Sequence, residues 1–239
     1  MRSNWNFIKG LFLLGLVVFL YAFSSFKNNS RPVTSVNVQF TGEDNVFITS
    51  ETVNKLLIQS QEKPYFLPKE GIDLKEMEFL LASNDMIKSA QVYLTVNGEV
   101  TAKVEQKRPI ARVYSSDVFY IDEEGFRMPL SSEHSARVPL VYGVVDTEDL
   151  ESAYRVASVV YKDSFLKMYI TEIFQNENKE ISLKMRLLDF EILVGNLDNL
   201  EIKLRNLKAF YQKAKKDNML DVYKSVNLQF ENQVVCTEK

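Results

Sequence analysis

The longest uncharged apolar stretch lies near the N-terminus, where residues 10–26 form the sequence GLFLLGLVVFLYAFSSF. Seventeen residues in an α-helix extend about 26 Å, close to the roughly 30 Å hydrocarbon core of a bilayer. Lys9 can lengthen the span by directing its ammonium group to the interface, and Trp5 and Tyr21 lie where interfacial aromatic residues are common. The pattern predicts a transmembrane helix over residues 10–26, with a short leader over residues 1–9.

The same segment has a second interpretation, a signal peptide that is removed after export, because Arg2 and Lys9 give it a positively charged start. No Ala-x-Ala cleavage site follows, and residues 22–24 form only a weak one. Charge does not set the orientation of the helix in the membrane, because Arg2 and Lys9 before the apolar segment are balanced by Lys27 and Arg31 after it. We expect the segment to be retained as an anchor.

Behind the anchor, the pattern predicts a strand, two helices and two further strands. Apolar and polar residues alternate over residues 36–40, as in a half-buried strand. Thr49 or Ser50 can cap a first helix. Asp73 and Glu76 form a capping box at the start of a second helix.

A β-hairpin follows the second helix, and burial decides its register. Asn97-Gly98 commonly forms a two-residue turn, but such a loop would place the apolar Leu94 opposite the polar Thr101. A three-residue loop over residues 96–98 instead places Leu94 opposite Val100, so that the apolar residues of both strands share one face. We therefore predict the three-residue loop, with its glycine in the left-handed region.

The rest of the chain mixes short strands with two amphipathic helices. Apolar residues recur at helical spacing over residues 150–161 and 197–214. Strand patterns occur at residues 112–114, 118–121, 126–129, 169–174, 181–186, 190–194, 225–230 and 233–236. The last strand pair is expected near one edge of the sheet, since no later segment follows to cover it. These patterns predict a mixed α/β domain.

Composition and residue chemistry argue against an enzyme. The formal net charge of −3 argues against a nucleic-acid-binding protein, because such a protein needs a basic face. His134 is the only histidine and Cys236 the only cysteine; neither lies in a nucleophile or zinc motif. Residues 122–124 carry three carboxylates, interpreted as a solvated turn, and residues 213–216 form a solvated basic helix end. We predict no catalytic, metal or cofactor site.

The order strand–helix–helix–strand–strand over residues 33–106 resembles a POTRA domain. POTRA-like modules are recognition domains without catalytic residues. The resemblance therefore implies a binding role for this part of the chain.

Over almost its full length, the chain resembles the bacterial cell-division family FtsQ (DivIB), in the form found in Bacteroidetes. The ordered segments that carry this resemblance are residues 104–111, 120–125, 137–143, 195–203, 226–230 and 232–235. The resemblance implies an α+β protein with one transmembrane helix, a POTRA-like domain at 33–106 and a division-specific domain at 107–239, whose sheet is largely antiparallel.

The resemblance also implies a function. The family consists of non-catalytic scaffolds of the inner membrane at the division septum, with the leader in the cytoplasm and the C-terminal body in the periplasm. Its partners are FtsB-like and FtsL-like bitopic proteins, and it has no small-molecule substrate. The scaffold recruits them through its C-terminal edge strands and links them to septal wall synthesis.

The positions that match the family's partner-binding strand lie near the C-terminus. An exposed sheet edge presents unpaired N–H and C=O groups to which a partner can add a strand. In this chain the matching residues are Val226, Asn227, Leu228, Gln229, Phe230 and Asn232. An alternative is that Val226, Leu228 and Phe230 form the core face, in which case docking uses the backbone alone.

Two other functions remain open from the sequence. One is an exported periplasmic enzyme with a cleaved leader, which would use paired carboxylates. The other is a POTRA-type envelope assembly chaperone; such proteins usually carry a β-barrel, and the two predicted helices of the second domain do not fit barrel strands.

Overall fold

A computed structural model describes residues 2–29, 33, 35–43, 45–59, 72–144, 150–230 and 233–239, and every structural statement below concerns these residues. Contacts divide the chain into two compact units, Met1–Gln106 and Lys107–Lys239. Each unit has its own hydrophobic core.

The first element is helix α1, Arg2–Asn29. Its segment Phe7–Lys27 has 21 residues and a mean hydropathy of 2.1, and none of it is buried inside the protein. Twenty-one helical residues extend about 31 Å, enough to cross a bilayer core. Lys9 lies 5.6 Å from the ring centre of Trp5, and Lys27 lies 5.9 Å from that of Phe23. The apolar helix predicted from the sequence is therefore present, and it extends beyond residues 10–26.

The first unit continues in the order strand, helix, helix, strand, strand, as predicted. The elements are β1 Ser35–Thr41, α2 Ser50–Gln59, α3 Leu74–Ala82, β2 Ile87–Leu94 and β3 Glu99–Gln106. The central strand β3 pairs in parallel with β1 and antiparallel with β2. Both helices pack on one face of this sheet, where Leu57 and Met77 meet Val100 and Val104 in the core.

The hairpin between β2 and β3 has the predicted three-residue loop. Leu94 lies opposite Val100, and the amide of Thr95 donates to the carbonyl of Glu99 at 2.8 Å. Gly98 has a φ of +87°, the left-handed conformation that the loop requires. Burial of one apolar face thus decided the register.

The second unit is a nine-stranded sheet covered by helices on one face. The strands are β4 Pro109–Tyr114, β5 Val118–Asp122, β6 Arg127–Met128, β7 Leu140–Tyr142, β8 Ile170–Gln175, β9 Ile181–Met185, β10 Glu191–Gly195, β11 Tyr223–Asn227 and β12 Val235–Glu238. They lie in the order β12-β11-β10-β9-β8-β7-β4-β5-β6, and five of the eight neighbouring pairs are antiparallel. The helices are α4 Leu150–Lys162, α5 Ser164–Tyr169 and α6 Leu200–Lys216, with a short 3₁₀ helix at Leu220–Val222. The α+β class with a largely antiparallel sheet is confirmed.

Three elements differ most from the prediction. Helix α5 and strand β7 were not predicted, and Tyr169, expected in a strand, is the last residue of α5. Strand β11 begins earlier and ends at Asn227, so residues 228–230 lie outside it. In each place, six or fewer residues are too few for a pattern to separate strand from helix or from loop.

Candidate partner-binding edge

Strand β12 forms one edge of the nine-stranded sheet. It pairs antiparallel with β11, and the amide of Lys239 donates to the carbonyl of Val222 at 3.0 Å. The N–H and C=O groups of alternate residues in a strand point to opposite sides. The main-chain groups of Val235, Thr237 and Lys239 therefore face β11, whereas those of Cys236 and Glu238 face away from the sheet. The prediction that the last strand pair lies at a sheet edge is confirmed.

Strand β11 itself is not this edge, which corrects one prediction. It lies between β10 and β12, so both of its sides are paired. The side chains of Val226 and Leu228 are buried in the core, and the amide of Leu228 donates to the carbonyl of Leu193 at 2.8 Å. A partner strand therefore cannot pair with the backbone of these residues. The alternative in which Val226 and Leu228 form the core face describes the structure, and the free backbone belongs to β12.

The other predicted site residues lie around the turn that follows β11. The Asn227 side chain accepts a hydrogen bond from the Gln229 amide at 2.8 Å and donates to the Gln229 side chain at 3.2 Å. Phe230 is 48% exposed, so it does not belong to the core. Asn232 lies outside the described residues.

The side chains of β12 differ between the two faces of the sheet. Val234 and Cys236 pack against the core, whereas Val235 is 40% exposed on the opposite face. Burial raises the pKa of the Cys236 thiol, which keeps it a protonated, weak nucleophile at neutral pH. The edge therefore offers backbone groups and apolar contacts.

The predicted solvated turn at residues 122–124 is wrong for its first carboxylate. Asp122 is 2% exposed. One of its oxygens accepts from the amides of Glu124 at 3.0 Å and Phe126 at 2.8 Å. The other lies 3.4 Å from the Lys107 ammonium. Asp122 thus holds the β5–β6 turn together. Within the described part of the chain, no group of three or more His, Cys, Asp or Glu residues could hold a metal ion.

A polar cluster that the sequence did not indicate fixes the long loop between β6 and β7. The Arg112 guanidinium donates to the hydroxyls of Tyr120 and Ser135, and Tyr120 also accepts from the amide of Ala136. Burial acts to raise the pKa of Tyr120, but the Arg112 hydrogen bond and the other donors hold it below its ordinary value. His134 lies in this loop with an exposed side chain. These hydrogen bonds hold the loop against β4 and β5.

These features define a class of protein: a membrane-anchored chain with a POTRA-like unit and a second unit that exposes a strand edge. A family model described as FtsQ/DivIB, C-terminal related, matches residues 108–237, more than half of the chain. A POTRA-like domain model matches residues 33–105. The chain belongs to the FtsQ/DivIB family. No curated protein sequence matches it.

The family defines the broad role of the chain. FtsQ/DivIB proteins are non-enzymatic scaffolds of bacterial division. With the single apolar helix of the described residues, membership indicates a single-pass membrane protein that works with other membrane-anchored division proteins.

Proposed function

We propose that this chain is a non-catalytic scaffold of the division septum that recruits FtsB-like and FtsL-like partners through β12 and links them to septal wall synthesis. Its leader lies in the cytoplasm and its two folded units lie in the periplasm. The partner adds a strand to β12, while Asn227, Gln229, Phe230 and Asn232 contribute contacts beside that strand. Val226 and Leu228 support the site from the core.

The outward-facing main chain of β12 is the observation that supports this proposal most. Native proteins usually cover, shorten or charge an exposed sheet edge. Here the edge strand has four residues and one carboxylate, Glu238, and carries the exposed Val235. A short edge of this kind resists aggregation but still accepts a strand from a partner that recognises the surrounding side chains.

The energetics limit what this edge can do alone. Cys236 and Glu238 offer two N–H and two C=O groups, and each hydrogen bond contributes a net free energy of about 0.5–1.5 kcal/mol. Four such bonds contribute roughly 2–6 kcal/mol, whereas association costs an estimated 4–15 kcal/mol or so in lost freedom of motion. A stable complex therefore also needs buried side chains next to the edge.

A proline substitution tests the edge directly. Glu238→Pro removes an outward N–H while leaving the bonds between β11 and β12 in place, because proline is tolerated in edge strands when its nitrogen faces solvent. Glu238→Ala is the matched control, since it removes the same exposed side chain but keeps the N–H. The full-length tagged proteins are purified from membranes, and the co-purifying small bitopic proteins are quantified by mass spectrometry.

We expect Glu238→Pro to lower recovery of the FtsB-like and FtsL-like proteins at least tenfold and Glu238→Ala to leave it unchanged. A fluorescent fusion should form a mid-cell band in the wild type. Equal recovery with both variants, at equal thermal stability, would show that β12 is not the docking strand.

A further inference from the structure

The face of the nine-stranded sheet that the helices do not cover carries a continuous row of side chains, named here the open-face row. Its members occupy matched positions on neighbouring strands, so they form a line across the sheet. In strand order, the row consists of Val118, Tyr114, Tyr142, Phe174, Ser182, Leu193, Asn227 and Val235.

Most of this row is apolar, yet much of it is exposed. Phe174 is 48% exposed and Val118 is 39% exposed. The rings of Tyr114 and Tyr142 stack with centroids 5.4 Å apart. Scattered apolar residues on a surface are normal, but a contiguous line of them indicates an interaction surface.

A shallow socket of about 130 Å³ interrupts the row between β8 and β10. Phe174 and Leu193 form its apolar walls, and Gln229 closes one side. Gly195 lies next to Gln229 in the socket. A Cβ atom at position 195 would lie 2.5 Å from the side-chain amide nitrogen of Gln229. Glycine at position 195 therefore permits Gln229 to lie in this place.

The charged side chains that line the socket are both acidic. Lys184, which does not line the socket, lies 2.8 Å from Glu172 and interacts more weakly with Glu191. Glu180 and Glu191, both exposed, line the socket. Since two carboxylates lie beside one apolar depression, the complementary ligand is an apolar side chain next to a lysine or arginine.

The row leads directly to the proposed docking strand. Its last member, Val235, belongs to β12, and Phe174 lies four strands away, about 19 Å at the usual strand spacing. Six extended residues cover that distance. One partner segment can therefore pair with β12 and reach the socket without a long linker.

We infer that the partner strand that pairs with β12 belongs to a segment that continues across the open-face row and places an apolar or aromatic side chain, flanked by a lysine or arginine, in the socket. This inference rests on the proposed function. The socket supplies the buried side-chain contact that the four-residue edge lacks, and its acidic rim selects the partner sequence.

Site-specific crosslinking separates the inference from the function on which it rests. The photoreactive amino acid p-benzoylphenylalanine is placed at Thr237, at Phe174 or at Leu187 of the full-length protein in growing cells. Leu187 is the matched control: it is 93% exposed and lies in the turn after β9, at the other end of that strand from the socket. We expect positions 237 and 174 to give an adduct with the same polypeptide, and position 187 to give none.

Substitutions add a quantitative readout on the same protein. Phe174→Ser and Glu191→Lys should each reduce partner recovery at least fivefold, and Leu187→Ser should leave it unchanged. Because all three side chains are exposed, thermal unfolding should not distinguish the variants.

Each outcome has one meaning. An adduct at 237 without one at 174, or unchanged recovery with Phe174→Ser, overturns the inference and leaves the docking edge intact. An adduct at 174 with a different polypeptide or with a second copy of this chain also overturns it. The absence of any adduct at 237 overturns the proposed function itself.

Discussion

At the scale of single residues, Asp163 joins two helices of the second unit. One of its oxygens accepts from the amides of Phe165 at 2.8 Å and Leu166 at 3.0 Å, which caps α5. Its other oxygen accepts from the Lys208 ammonium of α6 at 3.0 Å. The Leu166 amide, followed by Lys208 and the Phe165 amide, holds the pKa of Asp163 below its ordinary value of 3.8, although burial acts in the opposite direction.

This lowered pKa predicts a pH-dependent effect of Asp163→Asn. Asparagine keeps the cap but removes the charge. A carboxylate with a lowered folded pKa stabilises the protein above its unfolded pKa, which is the ordinary value of 3.8 here, and this contribution is lost as the pH falls through the folded pKa. We expect the variant to be less stable by about 0.5–1 kcal/mol at pH 7, with the difference shrinking as the pH falls through the lowered folded pKa of Asp163. Thermal unfolding of the full-length protein in detergent across this range measures it.

The control for this prediction is Asp189→Asn. Asp189 is 91% exposed and lies 3.8 Å from the Lys239 ammonium, so its pair contributes little. A difference between wild type and Asp163→Asn that stays constant from pH 7 to pH 3 would contradict the electrostatic origin.

Asp122 shows what the sequence could not reveal about single residues. Three consecutive carboxylates suggest a solvated turn, because an isolated charge is costly to bury. The cost is offset here by two amides of the same turn and by Lys107. The local signal was an aspartate three residues before Gly125, since aspartate side chains often accept bonds from turn amides. The lysine partner, fifteen residues away, has no such signal.

At the scale of elements, local pairing was predictable and distant pairing was not. The β2–β3 hairpin could be derived because only one loop length buries Leu94 beside Val100. The β10–β11 pair is parallel and is separated in the chain by α6, and no pattern within either strand specifies that contact. For this reason the sequence did not reveal which strand of the last pair forms the outer edge of the sheet.

The end of β7 gives a prediction at this scale. Gly143 has a φ of +84°, and a Cβ atom there would lie 1.8 Å from the Gln175 carbonyl oxygen at the end of β8. Gly143→Ala therefore forces two neighbouring strands apart, and we expect a loss of at least about 3 kcal/mol in the free energy of unfolding. Thermal unfolding of the full-length protein measures this loss.

Gly125→Ala is the matched control for that clash. Gly125 has nearly the same φ, +89°, but a Cβ atom would only approach the Tyr154 ring at 3.3 Å. The left-handed conformation alone costs an alanine about 1–2 kcal/mol. Equal destabilisation by both substitutions would show that the backbone conformation, and not the contact with Gln175, requires glycine at position 143.

At the scale of the whole molecule, one apolar helix accompanies two folded units that have no metal cluster among the described residues. In the proposed function the helix acts by confinement: it keeps the docking edge at the membrane surface, where bitopic partners are held as well. Confinement raises the effective concentration of a second site without adding any contact. The identity of the helix should therefore matter less than its presence.

Replacement of the anchor tests whether the helix acts only by confining the chain to the membrane. We expect a chain in which residues 7–26 are exchanged for an unrelated apolar sequence of equal length to recover the FtsB-like and FtsL-like partners as well as the wild type does. A chain that begins at residue 33 and is exported without an anchor should recover roughly 100-fold less, because it loses the effective concentration that the membrane provides. Co-purification from detergent-solubilised whole cells at equal expression measures the recovery of both chains, and Glu238→Pro in the exchanged chain should again lower recovery at least tenfold. If the exchanged chain fails although its folded units unfold at the wild-type temperature, the helix itself contacts a partner, and confinement alone is not its role.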